Sequence, residues 1–299
     1  MKRKLFYLIN PISGTKKKKP LKQNIIDATS NAGFDYEIMD TRADGDYSFL
    51  QHKIKEDHIT DVIICGGDGS VSTVASYLLD IPVAIGIIPM GSGNGLALAA
   101  GIAVSTKKAL DVIFKGKSAY IDGFSINNKF SCMMCGIGSD AQIAHEFATK
   151  EKRGLQTYLK LSASNYFKSK AFNFSISTHN KTFDTNAFFI CVANSNQFGN
   201  HVTIAPRASL NDGLFDVVVV KKMHKLLLPF SLINQIAGNN KLQQMHNYRD
   251  NKNILYFQSE EITIINKSMA PIHIDGEPQP GEEKLIFKMI PNAFRLLQP

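Results

Sequence analysis

The segment at residues 61–70 constrains the fold of this chain more than any other. Its sequence, DVIICGGDGS, is an apolar strand pattern that ends in glycines, and the next residues, VSTVASYLL, have a helical pattern. A buried strand that turns through glycines directly into a helix is typical of a βα unit in a parallel sheet. The residues of this first glycine loop are Gly66, Gly67, Asp68, Gly69 and Ser70.

The chemistry of the backbone suggests a function for the first glycine loop. Its amides can turn toward an anion because no Cβ atoms block them, and the start of the next helix adds a favourable dipole. Asp68 is unexpected there, because a carboxylate repels phosphates unless a cation lies between them. We therefore interpret the loop as a site for a nucleotide with Mg²⁺, with an ordinary glycine-rich βα turn as the alternative.

Two further loops repeat this arrangement. MGSGNG at residues 90–95 follows an apolar strand pattern at Ile85–Pro89, and NPISG at residues 10–14 follows another at Leu5–Ile9. The carboxyl ends of parallel strands share one edge of the sheet, where ligands of α/β folds bind, so we expect the three loops to face one cleft. The candidate residues of the second and third loops are Gly91, Ser92, Asn94, Asn10, Pro11, Ser13 and Gly14.

The pattern along the chain predicts two domains. Residues 1–120 alternate near-continuous apolar strands with helices, which indicates an α/β domain with a parallel sheet covered on both faces. Strand-like runs separated by turn residues, among them Lys129–Cys135 and Lys284–Met289, dominate residues 121–289, which indicates an antiparallel β domain, expected to be a sandwich. Helical patterns near Ala141–Lys170 and Met223–Gly238 interrupt it, and residues 290–299 are able to pack back onto the first domain.

Composition narrows the class of partner. A formal charge of +8 favours an anionic partner, but there is no tryptophan and no basic face interleaved with aromatics, so we expect no nucleic acid. No run approaches the roughly 18 apolar residues that span a bilayer. We read the start of the chain as a first strand and expect a cytoplasmic protein. The four cysteines lie in apolar runs and are expected to be buried, reduced thiols; they are Cys65, Cys132, Cys135 and Cys191.

Six blocks of sequence, in this order, resemble the diacylglycerol kinase catalytic-domain superfamily. They are NPISG, GGDGS, IIPMGSGNGLA, GIGSDA, ANSNQFGNHVTIAPRASLNDGLFDVVVV and IDGE. That superfamily includes soluble bacterial lipid kinases, sphingosine kinases and ceramide kinases. The resemblance runs from Leu5 to about Leu297 and implies an ATP- and Mg²⁺-dependent lipid kinase. It also implies an NAD kinase-like first domain, an active site in the cleft between the domains, contact with a membrane surface, and pairing of copies through the first domain.

The resemblance also assigns roles to residues. It implies that the loops above, together with Thr41 and Thr73, hold ATP, and that Asp68 manages the Mg²⁺-bound nucleotide. It implies a Mg²⁺ site at Asp212 with the carbonyls of Ser209 and Leu214. It implies that Glu277 is the general base and that Asp140 contacts the acceptor lipid. From the residues alone, Asp275–Glu277 and Asn211–Gly213 are turn signals and no more.

Departures from the family pattern leave alternatives open. Thr73 and Gly95 stand where many relatives carry acids. GSGN followed by a small residue resembles the sphingosine kinases, so the sequence leaves two alternatives for the acceptor lipid, a diacylglycerol-type lipid and a sphingoid lipid. Two other functions also remain: a soluble-metabolite kinase related to NAD kinase, and a non-catalytic regulator that binds nucleotide or lipid.

Overall fold

A computed structural model describes residues 2–12, 18–148, 170–179, 181–197, 203–244 and 252–299 of the chain. The chain divides into two compact units. The first comprises Met1–Ile121 and Asn292–Pro299, and the second comprises Asp122–Pro291. Within the described ranges, no helix combines the length and the apolar character that crossing a bilayer requires.

The first unit is built on a parallel sheet. Its elements are β1 (Lys4–Ile9), α1 (Lys18–Asn31), β2 (Asp35–Asp40), α2 (Leu50–Glu56), β3 (Asp61–Gly66), α3 (Asp68–Ser76), β4 (Ala84–Pro89), α4 (Gly95–Ala99) and α5 (Thr106–Lys115). The strands lie in the order β2-β1-β3-β4, and every neighbouring pair is parallel. β3 and β4 are buried along their whole length, which accounts for their unbroken apolar sequences.

The second unit is built from antiparallel strands. Its elements include two strands that are shared with the first unit, β5 at its start and β15 at its end. In chain order they are β5 (Ser118–Ile126), β6 (Lys129–Ser131), β7 (Met134–Gly138), α6 (Ser139–Ala148), β8 (Phe172–Thr178), β9 (Thr182–Ala193), β10 (Phe215–Lys221), a 3₁₀ turn (Lys225–Leu227), α7 (Leu228–Ile236), β11 (Ile254–Ser259), β12 (Glu261–Asn266), β13 (Ile272–Ile274), β14 (Glu277–Gln279) and β15 (Lys284–Leu297). Strands β7, β9 and β10 form successive antiparallel pairs. The core of the unit includes Phe124, Phe215 and Phe287, whose ring centroids lie 5.9–6.4 Å apart.

The strands differ from the expectations of the sequence at four places. The expected single strand at Lys129–Cys135 is divided into β6 and β7, because the buried carboxylate of Asp275 accepts the amides between them. Neither β11 nor β14 was predicted. β15 does not end at Met289: its first residues pair with β12, and Arg295 and Leu296 pair with β4.

The helical prediction at Ala141–Lys170 is borne out only as far as α6, and its remainder lies outside the described residues. The prediction at Met223–Gly238 corresponds to the 3₁₀ turn and α7. All four cysteines are buried free thiols, as the sequence predicted.

Candidate functional site

The three loops of the first unit lie at one edge of its sheet. The parallel register places Ile9 beside Cys65 and Gly66 beside Pro89, so β1, β3 and β4 end level with one another. The backbone amide of Asn10 donates to the carbonyl of Cys65 (2.9 Å), and its side-chain Nδ2 donates to Ser70 Oγ (2.8 Å). The NPISG loop is therefore bonded to the first glycine loop.

The two glycine loops touch through their backbones. A Cβ atom built on Gly91 would lie 2.6 Å from the Cα of Gly67, and one built on Gly67 would lie 3.0 Å from the Cα of Gly91. Real Cβ atoms essentially never come within 3.0 Å of backbone, so position 91 requires glycine, and a Cβ at position 67 would push the loops a few tenths of an ångström apart. The glycines are needed for this close approach as well as for exposing amides.

Asn94 closes the second glycine loop. It adopts a left-handed conformation (φ 52°) directly before α4 and is buried. Its Oδ1 accepts the amide of Gly91 (2.8 Å), and its Nδ2 donates to the carbonyl of Gly91 (2.8 Å). Asparagine tolerates this conformation better than most residues and provides both hydrogen-bonding groups, which explains its place in the motif.

Asp68 joins the two glycine loops. Its Oδ2 accepts the amide of Gly95 (3.0 Å) and its Oδ1 accepts the amide of Leu96 (3.3 Å), which are the first residues of α4. A carboxylate at a helix N-terminus satisfies amides that lack partners inside the helix and interacts well with the helix dipole. This contact gives Asp68 a structural reason to be in the loop, which the sequence reasoning had explained through a cation alone.

The start of α3 presents amides at the same edge. The first bond inside this helix runs from Val71 N to Gly67 O (3.1 Å), so the amides of the preceding turn point out of its N-terminus. The amide of Thr41 donates to Ile9 O (2.8 Å), Thr73 Oγ1 donates to Gly69 O (2.9 Å), and Ser92 is exposed. Pro11 is exposed in a turn, whereas Ser13 and Gly14 lie outside the described residues.

In the second unit, Glu277 is the first residue of β14 and is exposed. The hairpin that carries it turns at Asp275 (φ 48°) and Gly276 (φ 83°), where two left-handed residues match the Asp-Gly signal of the sequence. Asp275 is buried, and its Oδ1 accepts Ser131 Oγ (2.7 Å) and the amide of Met134 (2.9 Å). The turn is therefore anchored in the core of the unit, unlike a solvated hairpin.

His273 holds the same turn from the other side. The amide of Gly276 donates to His273 Nδ1 (3.3 Å), which assigns the proton to Nε2, and Nε2 donates to Asp140 Oδ2 (3.0 Å). Both side chains are buried. Gly136 faces His273 across the β7–β13 pair, and a Cβ there would overlap both partners of the bond. Sequence reasoning named Asp140 but missed His273 and Gly136.

Asp212 lies on an exposed turn of the second unit. Its Oδ1 accepts the amide of Leu214 (3.2 Å), and its Oδ2 accepts Nε2 of Gln258 (3.3 Å). The turn is tied to β5 because Asp122 Oδ2, which is buried, accepts the amide of Gly213 (2.8 Å). The Ser209 hydroxyl donates to Asn211 Oδ1 (3.1 Å). Asp122 is a third residue that sequence reasoning missed.

Asp216 lies beside this turn and is fully buried. Burial raises the pKa of its carboxyl to about 6, an effect that hydrogen bonds from Tyr256 and Gln258 oppose and the nearby Asp212 strengthens. Among the described residues, its Oδ1 has no hydrogen-bond partner. A nearby cation would lower this pKa, because an opposite charge favours the ionised form of the carboxyl.

The residues that the family resemblance assigns to Mg²⁺ offer oxygen atoms as ligands. In the described part of the chain, no group of three or more His, Cys, Asp or Glu side chains is placed to hold a metal. Mg²⁺ does not need three such side chains, since it binds through one or two carboxylates and keeps several waters. Asp212 with the carbonyls of Ser209 and Leu214 is an all-oxygen set of this kind, so the residues fit the ion.

Comparison with known families gives two matches. A profile described as "Diacylglycerol kinase catalytic domain" matches residues 4–126, and one described as "YegS C-terminal NAD kinase beta sandwich-like domain" matches residues 134–298. Together they confirm the expected fold class: a domain with a parallel sheet followed by a β-sandwich.

Curated relatives agree with the profiles. A protein named "Probable lipid kinase YegS-like" from Enterobacter sp. (strain 638) is 30% identical over 249 residues, covering 81% of this chain and 79% of that protein. "Diacylglycerol kinase" from Staphylococcus carnosus (strain TM300) is 22% identical over 281 residues, covering 93% of this chain and 89% of that protein. A crystal structure titled as a diacylglycerol kinase from Bacillus anthracis str. Sterne has a TM-score of 0.75 at 19% identity, with 99% and 97% of the chains covered, which supports the fold.

Proposed function

The chain belongs to the YegS-like branch of the diacylglycerol kinase superfamily, and from that premise we propose that it transfers the γ-phosphate of ATP to a lipid hydroxyl. The contact between Gly67 and Gly91 carries this proposal, because it places two glycine loops and the N-terminus of α3 at one sheet edge. Phosphoryl transfer depends mainly on positioning and on neutralising charge, and amides at such an edge do both for an anionic nucleotide.

In this proposal the first unit binds the nucleotide. The three loops, with Thr41 and Thr73, would hold the phosphates of ATP. Asp68 keeps the second glycine loop closed through its bonds to Gly95 and Leu96, so its removal would disturb phosphate binding even without any contact to a cation. This makes Asp68 at least a positioning residue, in addition to the role in managing Mg²⁺-ATP that the family resemblance implies.

Asp212 and the carbonyls of Ser209 and Leu214 would hold Mg²⁺. When bound, the ion supplies positive charge that offsets the negative charge of the phosphates and neighbouring carboxylates. The chain itself fixes the donor turn through the bond from Gly213 to Asp122.

Glu277 would accept the proton of the acceptor hydroxyl. A general base must reach its proton in a defined geometry, and such a group contributes roughly 10²–10⁴-fold to a rate. Glu277 directly follows a turn that Asp275 and His273 anchor, which limits the positions that its backbone can take. The Oδ2 of Asp140 accepts the His273 bond and the side chain is buried, which favours positioning of this turn over direct contact with the acceptor lipid.

The experiment that tests the proposal measures transfer of ³²P from [γ-³²P]ATP, with Mg²⁺, to a panel of lipids in mixed micelles. The panel contains diacylglycerol, phosphatidylglycerol, sphingosine, ceramide and monoacylglycerol, and the Asp68→Ala and Glu277→Ala variants are the controls. We expect one labelled lipid, lost in both variants. ATP binding without transfer to any lipid would refute the proposal, and transfer to NAD or a sugar phosphate would point to a soluble acceptor.

A further inference from the structure

The 3₁₀ turn and α7 form a helical segment whose apolar residues face outward. Leu226, Phe230 and Ile233 are 69%, 68% and 62% exposed, and their spacing of four and three residues places them on one side of the segment. Leu227 and Ile236 are also exposed and extend the same surface. We call these five residues the α7 apolar face.

The opposite side of α7 is fixed to the second unit. Leu228 is buried there, and so is the polar Gln235, whose Nε2 donates to the carbonyl of Ile204 (2.8 Å). Gln235 Oε1 also accepts Nδ2 of Asn240 (3.1 Å). Gln235 is thus buried while Phe230, Ile233 and Ile236 of the same helix are exposed, unlike a helix that turns its whole apolar face to a core. Hydrogen bonds at Gln235 hold the helix in this orientation.

The charge of the segment that carries the α7 apolar face favours one class of partner. Residues 221–241 contain four lysines and no acidic residue. A cluster of exposed apolar residues marks an interaction site, and phenylalanine and leucine in a lysine-rich segment are typical of helices that lie in the interface of an anionic membrane. A second copy of the chain fits less well, because a two-fold interface through this face would bring the same lysines together.

We propose that the α7 apolar face inserts into the interfacial region of an anionic lipid bilayer, with the neighbouring lysines contacting lipid phosphates. The inference rests on the proposed function in one respect: a kinase for a bilayer lipid needs a surface that docks on that bilayer.

The test measures co-sedimentation with vesicles of phosphatidylcholine alone and of phosphatidylcholine mixed equally with phosphatidylglycerol, without ATP. The variants are Phe230→Asp with Ile233→Asp, and Lys222→Glu. The matched control is Val104→Asp, since Val104 is 52% exposed in the first unit.

We expect the double variant to bind vesicles at least tenfold more weakly, because burying one such side chain raises the affinity roughly tenfold. We expect Lys222→Glu to weaken binding to the anionic vesicles but not to vesicles of pure phosphatidylcholine. Added salt is expected to reduce the difference between this variant and the wild type. The control binds like the wild type.

Two results would overturn the inference. One is unchanged vesicle binding by the double variant when far-UV circular dichroism shows it folded. The other is a wild-type dimer in analytical ultracentrifugation that the double variant loses, with vesicle binding equal in both, which would make the face a contact between copies.

A parallel assay separates this inference from the proposed kinase activity. With a dispersed short-chain lipid acceptor, we expect the wild type and the double variant to turn over equally. With acceptor in vesicles, only the wild type is active. If no acceptor is phosphorylated but vesicle binding still depends on α7, the docking surface stands and the kinase proposal fails.

Discussion

The bond between His273 and Asp140 gives a quantitative prediction. The side chains of His273 and Asp140 are 2% and 8% exposed, and Nε2 and Oδ2 lie 3.0 Å apart, although the residues are 133 positions apart in sequence. A hydrogen bond from a neutral donor to a charged acceptor is worth about 1.5–3 kcal/mol, and leaving a buried carboxylate oxygen without its donor adds to that loss. His273→Asn keeps an acceptor near the Nδ1 position but removes the donor to Asp140. We expect it to lower the free energy of unfolding by about 3 kcal/mol.

A double-mutant cycle isolates the bond from other effects of each substitution. The cycle combines His273→Asn, Asp140→Ala and the double variant, and we expect a coupling energy of about 2 kcal/mol. Unfolding by urea is followed by far-UV circular dichroism, because the chain contains no tryptophan. His273→Gln is the matched variant, since its amide reaches the Nε2 position and retains the donor. Coupling within error of zero, or equal destabilisation by asparagine and glutamine, would refute the assignment of the bond.

Two further predictions concern the glycine loops and the acidic turn. Gly91→Ala places a methyl group 2.6 Å from the Cα of Gly67, so we expect at least tenfold weaker ATP binding by calorimetry with the fold retained, and unchanged affinity would contradict the close approach of the loops. The pKa of Asp216 is about 6 in the folded protein against an ordinary 3.8. Between about pH 3.8 and 6 this carboxyl is therefore protonated more often in the native state than in the unfolded state. The free energy of unfolding falls by about 3 kcal/mol as the pH rises through this range. In urea unfolding with metal chelated, we expect Asp216→Asn to lose this decrease of stability with rising pH. Asp184→Asn is the control. Because Lys267 lowers the pKa of Asp184, that carboxyl contributes stability that increases with pH. A slope that persists in Asp216→Asn would assign it to another group.

The parallel sheet and its loops could be predicted because their causes are local. β3 and β4 are buried on both faces, so their sequences are apolar without interruption. Glycine at position 91 reflects a backbone contact with Gly67 that a Cβ atom would prevent. The order of strands and loops along the chain then places the three loops at one sheet edge.

The parts that could not be predicted depend on contacts between distant residues. The carboxylate of Asp275 divides β6 from β7, yet it lies more than 140 residues further along the chain. His273 gives no sequence signal, since one histidine in an apolar run is as typical of a core as of a site. β11 runs into β12 through Ser259 and Glu260, without the glycine, proline or asparagine that would mark a turn.

The outward face of α7 was hidden for a related reason. Its sequence, LPFSLINQI, is apolar on nearly all sides, so periodicity does not show which side is buried. The burial of Leu228 and the bonds at Gln235, which join it to residues outside the helix, show which side faces the second unit.

The rate of phosphoryl transfer in Glu277→Gln tests the central claim most directly. Glu283→Gln is the matched control, because Glu283 is also an exposed glutamate of the second unit and has no proposed role. We predict that Glu277→Gln binds ATP like the wild type but transfers its γ-phosphate to lipid at least 100-fold more slowly, whereas Glu283→Gln is fully active. Equal rates in the two variants, or loss of ATP binding in Glu277→Gln, would contradict the assignment of Glu277 as the base of a lipid kinase.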